Sequence, residues 1–147
     1  MQVALKIHSF SNFLVRNRIT IVSKVLDFTN YLIFNCSIPG TTEIGKGTKL
    51  SKGGIAVVLH EKCKIGQNCI IGSCVLVGGR SKIKGVPKIG NNVYIGSGAK
   101  ILGDITIGND VIIAPNSVVI DNIESNVIVA GIPAKIKREG VYMDDYV

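Results

Sequence analysis

The stretch that decides the fold is IGNNVYIGSGAKILGDITIGNDVIIAPNSV, residues 89–118. It divides into hexads: IGNNVY from 89, IGSGAK from 95, ILGDIT from 101, IGNDVI from 107 and IAPNSV from 113. An aliphatic residue leads each unit, glycine usually follows, and a small or β-branched residue tends to stand fifth. The same period runs upstream through IGKGTK at 44, IGQNCI at 65 and IGSCVL at 71. A fixed internal period is read before any other feature, because it sets the architecture.

Each hexad supplies one short strand and one turn, and three hexads close one triangular coil of a parallel β-helix. The leading aliphatic points inward and stacks on its equivalent one coil later. That arithmetic predicts one column of Ile71, Ile89 and Ile107, and another of Ile95 and Ile113. The fifth residue also faces in, where space is tight, so Cys63, Cys69, Val75, Ala99 and Val111 read as small core residues. The second-position glycine suits a tight corner. Each coil covers the apolar face of the next.

Two stretches break the period. SKGGIAVV, residues 51–58, adds three residues between Leu50 and Leu59, and GRSKIKGVPK, residues 79–88, makes a longer basic excursion. Insertions in repeat proteins project from one face, and that face often binds. His60 follows the first insertion directly. It stands second in its hexad, after an inward Leu59, and is predicted to point outward near the groove beside Ser51 and Lys52.

Residues 1–36 differ in kind. They hold all four phenylalanines and no glycine. Ile21, Val25, Phe28 and Leu32 fall on one helical face, predicting one or two short helices with a break near Asn17–Thr20. Lys6, Arg16, Arg18 and Lys24 make the segment basic. Its apolar face is expected to pack on the main body or on a neighbouring subunit. The alternative is a membrane-surface helix, against which stands the thin polar face.

The totals exclude several classes. At 46% hydrophobic but 5% aromatic, with no Trp, the core must be built from small aliphatics. A net charge of +7 suits a polyanion, a membrane surface or a phosphorylated ligand. Nucleic acid is not expected, because the basic residues are scattered and no aromatic residues interleave with them to stack bases. The four cysteines form no CxxC pair, so no zinc site is expected. No apolar run reaches the roughly 18 residues of a membrane span. No secretory leader pattern is present, and the chain reads as cytoplasmic with reduced thiols.

The hexads over about residues 36–138 resemble the left-handed β-helix of hexapeptide-repeat acyltransferases. VPKIGNNVYIGSGAKILGDITIGNDVIIAPNSVV followed by VAGIPAKIKR is similar to serine acetyltransferases and close sugar O-acetyltransferases. The resemblance implies an all-β left-handed parallel β-helix over 37–138, a helical segment over 1–36 and a tail over 139–147. It implies a homotrimer with acetyl-CoA in the groove between neighbouring β-helices, no metal, and acetyl transfer to a hydroxyl with a histidine as general base.

The resemblance carries over residue by residue. Serine acetyltransferases place the base two residues after Leu in a motif like IGKGxxLDH; here the segment is IGKGTKLSK, with Ser51 and Lys52 in place of Asp and His. The orienting carboxylate before the IP motif is replaced by Ser37. Some short relatives carry GG and an apolar run ending in His, as in GGIAVVLH, which points to His60 as base. The developing oxyanion needs donors, and the backbone N–H groups around Gly78 and Gly79 are the candidates. Lys52, at the departed base position, and Arg80, in a loop that in serine-specific relatives carries an Arg-His pair but here lacks the His, are taken as acceptor-binding candidates. Ser97, Gly98 and Pro115 match pantetheine contacts, with no N–H at Pro115. Lys135 and Arg138 of GIPAKIKR match phosphate contacts, while a Thr-Lys pair nearby is replaced by Ile120 and Asp121. His8 reads as structural.

These readings predict an acetyl-CoA-dependent O-acetyltransferase acting on a saccharide or sugar nucleotide. The alternatives are serine O-acetyltransferase and, given Ser37 and Lys52, a non-catalytic β-helix partner. A γ-type carbonic anhydrase, built on a related β-helix, uses three zinc-binding histidines; this chain has two.

Overall fold

A computed structural model describes residues 2–146. Two antiparallel helices, α1 (Val3–Arg16) and α2 (Thr20–Phe34), precede a parallel β-helix of about four coils. Its strands lie on three faces. Sheet 1 holds β1 (Glu43–Ile44), β4 (Lys64–Ile65), β7 (Lys88–Ile89) and β10 (Thr106–Ile107). Sheet 2 holds β2 (Lys49–Leu50), β5 (Ile70–Ile71), β8 (Tyr94–Ile95), β11 (Ile112–Ile113) and β13 (Val127–Gly131), closed by the antiparallel β14 (Ala134–Glu139). Sheet 3 holds β3 (Val58–Leu59), β6 (Leu76–Gly78), β9 (Lys100–Leu102) and β12 (Val118–Val119).

The two inward positions of each hexad make the core. Ile71, Ile95, Ile101, Val75, Ala99 and Val111 have no exposed surface. Cys63 and Cys69 are equally buried, and burial pushes the Cys63 thiol up to about 11 and the Cys69 thiol upward. These are packing residues with inert thiols.

The register corrects one predicted column. Ile71 pairs with Ile95, and Ile89 pairs with Ile65 and Ile107. The excursion at 79–87 inserts a hexad's worth of chain at one corner, so the three strands of the coil just before it, β4, β5 and β6, meet partners 24 residues on, whereas Ile95 and Ile113 keep the spacing of 18.

The glycine rationale also changes. Left-handed φ falls on the fourth residue of the hexad, as at Asn68, Asn92, Asp110 and Asn116, with Asn the residue that tolerates it best. The second-position glycines serve close approach between coils: a Cβ on Gly72 would sit 2.5 Å from the Ser97 nitrogen, and one on Gly96 2.5 Å from the Pro115 nitrogen.

The helices form where the periodicity places them, with a break at 17–19. The apolar face is turned away from the chain's own β-helix, which corrects the expectation that it packs on the main body. Ile21, Val25, Phe28 and Leu32 are 79%, 59%, 59% and 65% exposed, while Ser11, Ser23 and Asn30 are buried against the body. The Ser11 hydroxyl stands 2.8 Å from that of Ser23 and donates to Asp27 Oδ1 at 2.7 Å; the other Asp27 oxygen accepts the Gly40 N–H at 3.0 Å. Asn30 Nδ2 donates to the Ala4 carbonyl at 3.0 Å. A polar network, together with a small apolar contact of Ala4, Leu5, Leu14 and Phe34, holds the hairpin in place.

At the other end the tail caps the last coil. Val141 and Met143 are buried, and Asn126 and Val141 exchange hydrogen bonds of 3.0 and 3.2 Å.

Candidate functional site

The site residues read from the sequence separate onto two edges of the prism. Between sheets 2 and 3 run the turns that carry Lys52, then Ser97 and Gly98, then Pro115. Between sheets 3 and 1 lie His60, Gly78, Gly79 and Arg80. Within one chain, His60 therefore does not share a groove with Ser51 and Lys52, because the whole of β3 stands between them. Lys135 and Arg138 lie apart from both groups, on the outer strand of sheet 2.

The edge between sheets 2 and 3 is built by register. A left-handed residue turns each coil there: Ala56, Cys74, Gly98 and Asn116. The backbone rungs Cys74 to Ile55, Gly98 to Ser73 and Asn116 to Ser97 tie successive turns at 2.8–2.9 Å. Ser73 and Ser97 thus stand one above the other, their hydroxyls 3.4 Å apart. Lys100 Nζ folds over this edge and donates to the Cys74 and Gly98 carbonyls at 3.0 and 2.8 Å. Ser73 and Lys100 were missed in the sequence; an 18-residue count cannot stack 73 on 97 across the inserted hexad.

At the base of this edge, Lys52 is exposed and takes left-handed φ and ψ of 50° and 30°. With Gly53 and Ile55 from the insertion and Ile33, Phe34 and Asn35 from the end of α2, it lines a recess of about 680 Å³. Gln2 closes one side by bracketing Leu50, accepting its N–H at 2.9 Å and donating to its carbonyl at 3.2 Å.

On the other edge, His60 is half-buried. Its backbone N–H donates to Val77 at 2.9 Å, tying it to the coil that carries Gly78 and Arg80. Its Nδ1 accepts the Lys62 N–H at 3.1 Å. A neutral ring with Nδ1 as acceptor bears its proton on Nε2. The excursion lies back on the next coil: an added Cβ at Gly103 would touch Arg80, and one at Gly85 would meet Asp104.

The basic residues of β14 are engaged locally. Lys135 Nζ stands 3.7 Å from Asp121 Oδ2, and both are well exposed. Arg138 donates to the Tyr146 hydroxyl at 2.6 Å and lies 5.9 Å from its ring centre. Asp121, singled out as a replacement for Lys, therefore partners the next phosphate-contact candidate. Among the described residues, no three His, Cys, Asp or Glu side chains converge in a way that would hold a metal ion.

A family model for the bacterial transferase hexapeptide (six repeats) matches residues 87–121. The serine acetyltransferase of Synechococcus elongatus is 35% identical over 144 residues, covering 96% of this chain and 59% of that protein. The chain belongs to the hexapeptide-repeat transferases. Solved structures agree with that placement. A Brucella abortus serine acetyltransferase in complex with coenzyme A superposes with a TM-score of 0.90 at 33% identity, over 95% of this chain and 56% of its own. A Neisseria gonorrhoeae serine acetyltransferase in complex with serine gives 0.86 at 30% identity, over 92% and 55%. The coil of this hexapeptide-repeat chain is accordingly the left-handed one. The chain spans less than two thirds of the length of these relatives.

Proposed function

We propose that this chain is an acetyl-CoA-dependent O-acetyltransferase whose site forms between copies of a homotrimer. The observation that carries the reading is the likeness of the whole β-helix to a serine acetyltransferase in complex with coenzyme A. The split of the site residues onto two edges supports the assembly. Sheet 3 turns Val58, Leu76, Lys100 and Val118 outward, with Val58 41% exposed and Lys100 folded over the 2–3 edge, whereas sheet 1 presents Glu43, Lys64, Lys88 and Thr106. Three prisms packed with sheet 3 toward a common axis set the 3–1 edge of one copy beside the 2–3 edge of the next. His60 and Arg80 of one subunit then face Lys52, Ser97 and Gly98 of its neighbour.

The acceptor hydroxyl oxygen attacks the thioester carbonyl and its proton passes to a base; collapse of the tetrahedral intermediate breaks the C–S bond, and the protonated base returns that proton to sulfur, so coenzyme A leaves as the thiol. His60 serves as base once its ring turns Nδ1 away from Lys62 and presents an unprotonated nitrogen. Backbone N–H groups at Gly78 and Gly79 meet the oxyanion. Lys135 and Arg138 exchange Asp121 and Tyr146 for phosphate oxygens.

Serine is the acceptor that the relatives favour. A second reading, a saccharide or sugar nucleotide, is favoured by Ser37 and Lys52, which leave the usual Asp/His positions without acid or base. The deciding assay is thiol release from acetyl-CoA with L-serine and with a panel of sugars and sugar nucleotides. Release with serine fixes the first reading and release with a sugar alone fixes the second. No release and no coenzyme A binding would leave a β-helix without enzymatic activity.

A further inference from the structure

The helical hairpin is inverted with respect to a helix that packs by its apolar side. Phe10, Phe13, Ile21, Val25, Phe28 and Leu32 are each more than half exposed, and Phe10 and Phe13 stack on the outer surface at 6.4 Å. The inward side carries a polar network of Ser11, Ser23, Asp27 and Asn30 beside the small apolar contact of Ala4 and Leu14. Soluble surfaces rarely expose a contiguous apolar patch of this extent without a use for it.

Charge decides between occupants. Lys6, Arg16, Arg18 and Lys24 are exposed on the hairpin, Arg16 on the recess that Glu43 also lines, and none is in an ion pair among the described residues. The one acid in residues 1–36 is Asp27, and it is turned inward onto Ser11 and Gly40. The exposed charges of the hairpin itself are therefore all cationic, with Glu43 of the β-helix across the recess from Arg16. Two copies meeting by this face in a symmetric pair would set the same basic residues against each other. An anionic lipid interface is complementary on both counts: the acyl boundary takes Phe, Ile, Val and Leu, and the headgroups take Lys and Arg. No helix among the described residues is long and apolar enough to cross a membrane, so the fit is to a surface.

We propose that α1 and α2 lie flat on an anionic lipid surface, with the apolar face of α2 and the Phe10–Phe13 pair inserted at the headgroup boundary and the four basic residues among the headgroups. The β-helix is then held beside the bilayer by the polar network under the hairpin.

The test is co-sedimentation of the full chain with phosphatidylcholine vesicles and with vesicles of phosphatidylcholine and phosphatidylglycerol, with light scattering on the chain alone. The proposal expects binding to the anionic vesicles, weakened by salt. Arg16→Glu, Arg18→Glu and Lys24→Glu together should lower partitioning on the order of 100-fold. Val25→Glu with Leu32→Glu should abolish it while leaving the far-ultraviolet circular dichroism unchanged, since neither side chain touches the core. Equal binding to both vesicle types would overturn the anionic assignment. No vesicle binding, with an oligomer that Val25→Glu and Leu32→Glu split, would assign the face to a second copy instead. No vesicle binding and no such oligomer would overturn the proposal as well.

Discussion

The β-helix and the helical hairpin use opposite solutions to the same problem. In the β-helix each apolar side chain at an inward position is buried against the coil above and below, and the polar residues line the turns. In the hairpin a polar network shares the inward contact with a few apolar side chains, Ala4, Leu5, Leu14 and Phe34, and most of the large apolar ones face out. Ile101 and Ile21 make the contrast in a single residue type: 0% exposed in one region and 79% in the other. Hydrophobic content alone says nothing about which residues stabilise the chain; the environment of each side chain does.

The contrast is easiest to break in the core. Ile101→Ala should cost about 2–5 kcal/mol of stability, because it empties a fully enclosed site between stacked coils. Ile21→Ala should stay within about 0.5 kcal/mol. Urea titrations of the two variants measure the difference, and equal losses would mean that the hairpin packs by its apolar side after all.

Removing the polar anchor comes next. Asp27→Ala leaves the Ser11 hydroxyl and the Gly40 N–H without a carboxylate, at about 1–3 kcal/mol for such a buried group. Protease resistance at the junction near residue 35 should fall with it.

A smaller effect is read in pH. His8 is 3% exposed and its Nδ1 has no hydrogen-bond partner. Burial holds its pKa below the ordinary 6.5, outweighing the upward pull of the Ile38 and Thr42 carbonyls and of Asp27. The unfolded chain therefore binds a proton that the folded chain refuses. Stability should fall as pH drops below about 6.5 and level off once the pH is below the folded value. His8→Gln should flatten that part of the melting profile.

The smallest change is to one thiol. Cys36, Cys63 and Cys69 are buried and Cys74 is exposed. The native protein should therefore react with one equivalent of a bulky thiol reagent, and Cys74→Ser should remove that reaction with no measurable loss of stability.

The hexad period made the β-helix and its inward positions legible, because an inward residue recurs at a fixed spacing whatever the turns do. The columns across residue 79 were not legible: a loop that contains one extra hexad preserves the apparent phase while shifting the pairing by a coil's third. The helices were legible and their orientation was not, since periodicity identifies an apolar face but not what that face meets. The same limit held for the site. Sequence neighbours such as Lys52 and His60 stand on different edges, and Ser73 and Lys100 reach the 2–3 edge only through pairing that crosses the insertion.

The central claim is that one acetyl-transfer site is assembled from two edges on two copies. It is tested most directly by subunit mixing. Lys52→Ala and His60→Ala are each expected to lose most of the acetyl-CoA turnover, about 100-fold for the removed base. Unfolded together in equal amounts and refolded, they should recover about a quarter of the wild-type rate, because some interfaces then join an intact Lys52 edge to an intact His60 edge. Recovery to that level is the predicted result. A mixture no more active than either variant alone would contradict it, and would place both residues in a site within one chain or outside the site altogether.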